Sequence, residues 1–267
     1  VKEEGNPFSK GNEFEYGFGI DGKIGITNDF ILDFTVNPDF GQVEADPSEV
    51  NLTAFETYFQ EKRPFFIEGR EITSFQLSMG GNSFARDNLF YSRRIGRSPH
   101  YYPDVDPDNN EYANMPDNTT ILGALKLTGK SKKGLSIGII ESLTAEEKAE
   151  LFLNGTESEE PVEPMTNYLV ARVQKDMNDN NTIIGGMLTS TNRFFKNTNL
   201  DFLNKNSYSG GVDWTQFFKD KKYFVTLKYS MSHIQGDSTA MIYQQESSRR
   251  YFQRPDQDYM VFDPTRT

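Results

Sequence analysis

The chain has no cysteine, which removes disulfide staples, thiolate catalysis and cysteine-ligated zinc together. It also lacks any apolar run approaching the roughly 18 residues of a membrane-spanning helix, which excludes a helical span and leaves strand-based spanning open. GxSxG, P-loop and dinucleotide-binding patterns are missing. Positive charge is in deficit: 28 Lys and Arg face 39 Asp and Glu, and a net charge of −11 argues against a nucleic-acid partner, whose phosphates it would repel. Aromatics, by contrast, make up 13% of a chain that is only 36% hydrophobic, a balance that suits a β protein better than a helical bundle. The 267 residues can enclose a sizeable core. No signal peptide is visible and the first residue is Val1, so a processed or partial chain is expected.

From about residue 119 a regular rhythm sets in. "TTILGALKLTG" and "GLSIGIIES" flank "KSKK", "NYLVARVQKDM" and "NTIIGGMLTST" flank "NDN", and "YSGGVDWTQFF" and "YFVTLKYSMSH" flank "KDKK". Each pair reads as a hairpin with a polar turn. Apolar residues recur at every second position: Leu125 and Leu127; Leu135, Ile137 and Ile139; Tyr223, Val225, Leu227, Tyr229 and Met231. Arg172, Gln174, Asp213, Thr226 and Lys228 fall on the other face. Long polar stretches, "LTAEEKAELFLNGTESEEPVEPM" and "NRFFKNTNLDFLNKNS", separate the hairpins and read as loops. Strands of about ten residues, one apolar face, short turns at one end and long loops at the other form the pattern of an outer-membrane barrel.

The N-terminal part is less regular. "EFEYGFGIDGKIGIT" and "FILDFTVN" read as a further hairpin, and "LFYSRRIGR" (89–97) as a strand. "SPHYYPDVDPDNNEYANMPDN" has the Pro, Asp and Asn content of a long loop. In "AFETYFQEKRPFFIEG", Thr53 and Glu56 have capping-box spacing, and Phe55, Tyr58 and Phe59 share a helical face. This predicts a short helix near 54–62, ended by Pro64. A helix that short needs a surface to dock on, and a barrel lumen or rim supplies one.

Several side chains are candidates for chemistry. Lys62, Arg63, Arg93, Arg94, Arg97, Arg172 and Lys228 are candidate lumen or ligand contacts, with structural pairing to Glu56, Glu61 and the acids of "QVEADPSE" as the alternative role. Trp214, Tyr223 and Tyr229 are candidate membrane-interface anchors. Asp104, Asp106, Asp108 and Glu111 have alternate spacing reminiscent of a calcium loop, but Asn109 stands where an EF-hand has glycine and Met115 where it has its last acid. His100 and His233 are far apart, and no spacing selects a catalytic carboxylate pair, although Asp39 and Glu44 are the first to test. No catalytic residue, metal or cofactor is assigned.

"TVNPDFGQVEADPSEVNLTAFETYFQEKRPFFIEG", followed by "LFYSRRIGR" and the closing "FDPTRT", resembles an uncharacterised family of large Bacteroidota-type envelope proteins. In that family a family-9-type carbohydrate-binding domain precedes an outer-membrane barrel. The resemblance implies that such a domain lies before Val1, that further strands follow Thr267, and that the barrel is incomplete here. It carries no activity onto particular residues.

The expectation is therefore one all-β domain over 1–267, an antiparallel up-and-down meander forming part of a transmembrane barrel. Residues 1–118 would supply a hairpin, a lumen plug and a long loop, and residues 119–267 the barrel hairpins. The expected role is a non-enzymatic channel, uptake component or surface scaffold of the cell outer membrane, serving glycan acquisition. Its expected partners are outer-membrane lipid, other envelope proteins and glycans. Two alternatives stand: a surface carbohydrate-active hydrolase, and a soluble β-sandwich binding module. An apolar outer face on the hairpins disfavours the first. The second requires Val225 and Leu227 to be buried against another sheet.

Overall fold

The computed structural model describes residues 5–9, 17–38, 59–77, 88–196, 199–247, 256 and 261–265. The chain is all-β and antiparallel. Its principal element is an eight-stranded sheet built from β1 (Ile20–Gly25), β2 (Phe30–Val36), β4 (Ile121–Lys130), β5 (Leu135–Thr144), β8 (Met165–Met177), β9 (Thr182–Phe194), β10 (Asn206–Phe218) and β11 (Tyr223–Gln235), in that spatial order. A smaller sheet holds β3 (Glu111–Asn114), β6 (Glu147–Leu153) and β7 (Thr156–Glu163) in the order β3-β6-β7. Among the described residues the large sheet is open, since β1 and β11 each pair with a single neighbour.

All four expected hairpins form, because period-two alternation specifies both the strands and their register. The strands outrun the expected ten residues: β8, β9, β10 and β11 each contain 13. The turns of the last two hairpins each hold three successive left-handed residues, Asn178–Asp179–Asn180 and Lys219–Asp220–Lys221. Asn and Asp tolerate that region because their short polar side chains bond locally.

Three expectations need correction. The helix lies at Pro64–Ile67 (α1), while residues 59–62 are not helical and 54–58 lie outside the described residues. Pro64 begins the helix instead of ending one, since a missing N–H costs nothing at the first helical position. Residues 89–97 form no strand: Ser92–Arg94 is a 3-10 turn, closed by the Ile95 N–H donating to the Ser92 carbonyl. The stretch 143–165, expected as a polar loop, contains the β6–β7 hairpin, and the preceding loop supplies β3. Asn154 and Gly155, both at positive φ, make the turn between β6 and β7. Ala149, Leu151 and Val162 form a small core under that sheet, with Tyr101, Val105 and Met115 packed against it.

A nine-residue helix, α2 (Ser238–Glu246), follows β11 with Asp237 as its N-cap, an element outside the expected meander of strands. No described helix is long and apolar enough to cross a membrane, which says nothing of strands.

Candidate functional site

The two faces of the large sheet differ in chemistry. On one face Leu32, Leu127, Ile139, Ala171 and Leu188 follow one another across β2, β4, β5, β8 and β9 by direct register. Gly210 and Met231 continue the row across β10 and β11. This face stays uncovered: Leu125, Val173, Ile184, Leu188, Val212, Leu227, Tyr229 and Met231 are all exposed, Leu227 at 62%. On the opposite face Asp33, Thr35, Lys126, Ser136, Ser142, Thr144, Arg172 and Asp176 are buried, Lys126 to 1%. The exposed face of the sheet is thus apolar, while the opposite, covered face mixes buried charged and polar groups with apolar ones, which departs from the apolar-in, polar-out pattern of a water-soluble antiparallel sheet.

The polar face is covered by residues 59–77 and 88–97. Phe66, Phe75 and Ile95 from these segments form one cluster with Ala124, Ile140, Tyr168, Val170 and Met187 of the sheet. Glycines make room for the contact. A Cβ at Gly138 would stand 2.7 Å from the Thr73 methyl, and one at Gly211 would stand 2.7 Å from the Phe75 ring. These strand glycines therefore admit the docked segment, a role hidden behind their poor strand propensity.

Buried charge fixes the segment in place. The Lys126 ammonium donates to the Phe65 carbonyl (2.6 Å) and the Glu68 carbonyl (3.0 Å), and pairs with Asp33 at 3.1 Å. Lys228 donates to the Gln76 carbonyl at 2.6 Å, and the Arg172 guanidinium lies 5.0 Å from the Phe75 ring centroid. Arg172 also pairs with Asp213 across the inner face, donating to its second oxygen at 3.1 Å. Lys23 pairs with Glu68 at the edge of the sheet.

Arg63 ties the two covering segments together. Its guanidinium forms a two-point pair with Glu61 (2.8 and 2.7 Å) and donates to the Ile95 and Ser92 carbonyls (2.6 and 2.9 Å). The Ser92 hydroxyl donates to Glu61 at 2.6 Å. Burial pushes the Glu61 carboxyl up, but the Arg63 hydrogen bond and charge, with Ser92, outweigh it and hold the group below the ordinary carboxylate range.

The remaining candidates are dispersed. Arg93 donates to the Gln60 carbonyl and lies 5.5 Å from the Phe59 ring, Arg94 is exposed, and the Arg97 carbonyl accepts from Thr119. Lys62 is exposed beside the buried Glu61–Arg63 pair. Gln174 donates to Asp176, and the Thr226 hydroxyl meets that of Thr215 at 3.0 Å. Tyr223 begins β11 at the turn end, Trp214 sits opposite Leu227, and Tyr229 falls in the middle of its strand. Asp106 caps the 3-10 turn Pro107–Asn109 by accepting from the Asp108 N–H and the Asn109 side chain. Among the described residues no three His, Asp or Glu groups converge as a metal ion requires. His100 lies against the buried carboxylate of Glu163, with Nδ1 2.6 Å from Oε2, whereas His233 is on β11. Asp39, Glu44 and Glu56 lie outside the described residues.

Fold and site together define an antiparallel β protein whose large sheet exposes an apolar face and whose opposite face, rich in buried polar groups, is covered by segments of its own chain. The chain belongs to an uncharacterised family described as a domain of unknown function (DUF5916), whose model matches residues 2–253. No curated protein and no solved structure matches it.

Proposed function

We propose that the eight-stranded sheet is a wall of an outer-membrane β-barrel, with Leu125, Val173, Leu188 and Leu227 toward lipid and Lys126, Arg172 and Asp213 toward the lumen. Residues 59–77 and 88–97 are then a resident plug. The role that fits is non-enzymatic: a closed channel or uptake component of the cell outer membrane, or a surface scaffold, with the envelope glycans implied by the resemblance as its cargo class.

The observation that carries this reading is the inverted amphipathicity of the sheet. A continuous apolar face crossing eight strands is far larger than the patches soluble monomers tolerate, and each exposed Å² costs about 25 cal/mol in water. Strand length agrees with it. Thirteen residues extend about 43 Å, and at a tilt of about 45° they rise about 30 Å, the thickness of the hydrocarbon layer. Exposed aromatics bracket the band, with Phe218 and Tyr223 at the turn end and Phe194 and Tyr208 toward the other.

Fractionation of cell envelopes tests the reading. The protein should remain in the outer-membrane fraction after a carbonate wash and migrate faster unheated than heated on electrophoresis. Release by the wash, with no heat shift, would overturn it and favour a second sheet covering the apolar face.

A further inference from the structure

Charge is segregated along the molecule. Residues 98–120 and 143–165, which build the small sheet and its surroundings, hold twelve carboxylates against one lysine, Lys148. The four tight turns hold the opposite excess. Residues 26–29, 130–134, 175–181 and 219–222 carry seven lysines and four aspartates. One of those aspartates, Asp176, is buried and paired with Lys130 at 2.6 Å.

The turns are neighbours in space. Lys130 N–H donates to the Asp29 carbonyl, Asp176 N–H to Gly134, and Phe217 N–H to Asn181, which links all four hairpins at one end of the sheet. Lys132, Lys133, Lys221 and Lys222 are exposed there, and among the described residues no carboxylate pairs with them. Lys175 donates to the Lys133 carbonyl, drawing its ammonium toward the same turn. An open groove of about 550 Å³ lies between the turns at 130–134 and 175–180. Aromatics stand directly beside the lysines: Lys219 is 5.7 Å from the Tyr223 ring centroid and Lys221 is 5.8 Å from that of Phe217.

We infer that this lysine-rich turn end is a binding surface for anionic phospholipid headgroups of the leaflet it faces. The inference rests on the barrel reading above. Its own support is charge complementarity and continuity: the lysines begin where the apolar band ends, as they must if acyl chains meet Val225 and Leu227 while the phosphate of the same lipid sits at the turn. Ammonium groups near a membrane surface attract anionic lipid, and at this rim the lysines outnumber the aspartates seven to four in a protein that is acidic elsewhere. The surface also sets orientation, placing the turns in a phospholipid leaflet and the acidic small sheet on the far side.

The test is electron spin resonance of the full chain reconstituted in phosphatidylcholine vesicles, with trace spin-labelled phosphatidylglycerol or phosphatidylcholine. The motionally restricted signal reports lipid at the protein perimeter. The labelled phosphatidylglycerol should be enriched in it on the order of fivefold over phosphatidylcholine at low salt. The enrichment should disappear at high salt and in a variant with Lys132→Gln, Lys133→Gln, Lys221→Gln and Lys222→Gln, all at exposed turn positions outside the core. A restricted signal of equal size for both lipids would overturn the headgroup surface alone. Absence of a restricted signal for either lipid would overturn the barrel reading and this inference with it.

Discussion

Phe75 stands directly over Gly211, and a Cβ added to that glycine would come within 2.7 Å of the ring. The contact joins the covering segment to the middle of β10, next to the edge strand β11. A side chain at Gly211 therefore displaces Phe75 without touching the apolar face. Gly211→Val should leave the heat shift intact and make the segment around Phe75 accessible to protease, and Gly138→Val should act the same way through Thr73. Limited proteolysis of the membrane-inserted protein checks this.

Lys126 is a buried cation whose partners are mostly carbonyls of the covering segment. Removing it leaves the carboxylate of Asp33 buried with Lys23, at 3.4 Å, as its one remaining ion-pair partner among the described residues. Lys126→Met should destabilise the folded protein by about 3–5 kcal/mol, whereas the double variant Lys126→Met, Asp33→Leu should recover part of that loss. Denaturant unfolding of the four combinations measures the coupling.

The Glu61–Arg63 pair makes a pH prediction. The Glu61 carboxyl is held below its ordinary value of 4.5, so its contribution is fully present above about pH 4.5 and is lost as the pH falls through the lowered value. Thermal stability of the wild type should fall below pH 4.5 more steeply than that of Glu61→Gln. Parallel curves would show that Glu61 does not link the two covering segments.

Asn154 and Gly155 both adopt positive φ between β6 and β7. Asn154→Val and Gly155→Val should each disrupt the small sheet, at a cost on the order of 1–3 kcal/mol, and leave the large sheet unaffected. Amide exchange across 147–163 and across β8–β11 separates the two effects.

Strands β4, β5, β8, β10 and β11 were legible through the period-two alternation that strand geometry imposes, and β1, β2 and β9 as short β-type runs flanking a polar turn. The direction of the apolar face was legible too, since Leu125, Leu127, Val225 and Leu227 alternate with Lys126, Thr226 and Lys228. The β6–β7 hairpin was hidden by charge: Glu147, Lys148, Glu150, Glu157, Glu159 and Glu160 resemble solvent-exposed loop, although the Asn-Gly pair between them is a hairpin signal. Residues 89–97 have strand-like composition but form a 3-10 turn whose carbonyls serve Arg63. Arg63 could not be singled out from Arg93 or Arg94, because burial and not residue type distinguishes it. The glycines at 138 and 211 read only as weak strand positions. Their use appears once a distant segment is laid over them.

The central claim is that Leu188 and Leu227 face lipid while the opposite face of the same strands does not. The absence of cysteine makes a direct measurement possible. Single variants Leu188→Cys, Leu227→Cys and Ser230→Cys, inserted in membranes, would be treated with a membrane-impermeant maleimide. After spin labelling they would be exposed to a relaxation agent that partitions into the acyl chains. The account predicts that Cys at 188 and 227 is protected from the maleimide and strongly relaxed by the lipid-soluble agent, with the lipid-soluble agent relaxing Cys at 230 far less. Rapid maleimide labelling at 188 and 227, with no relaxation by the lipid-soluble agent, would contradict it.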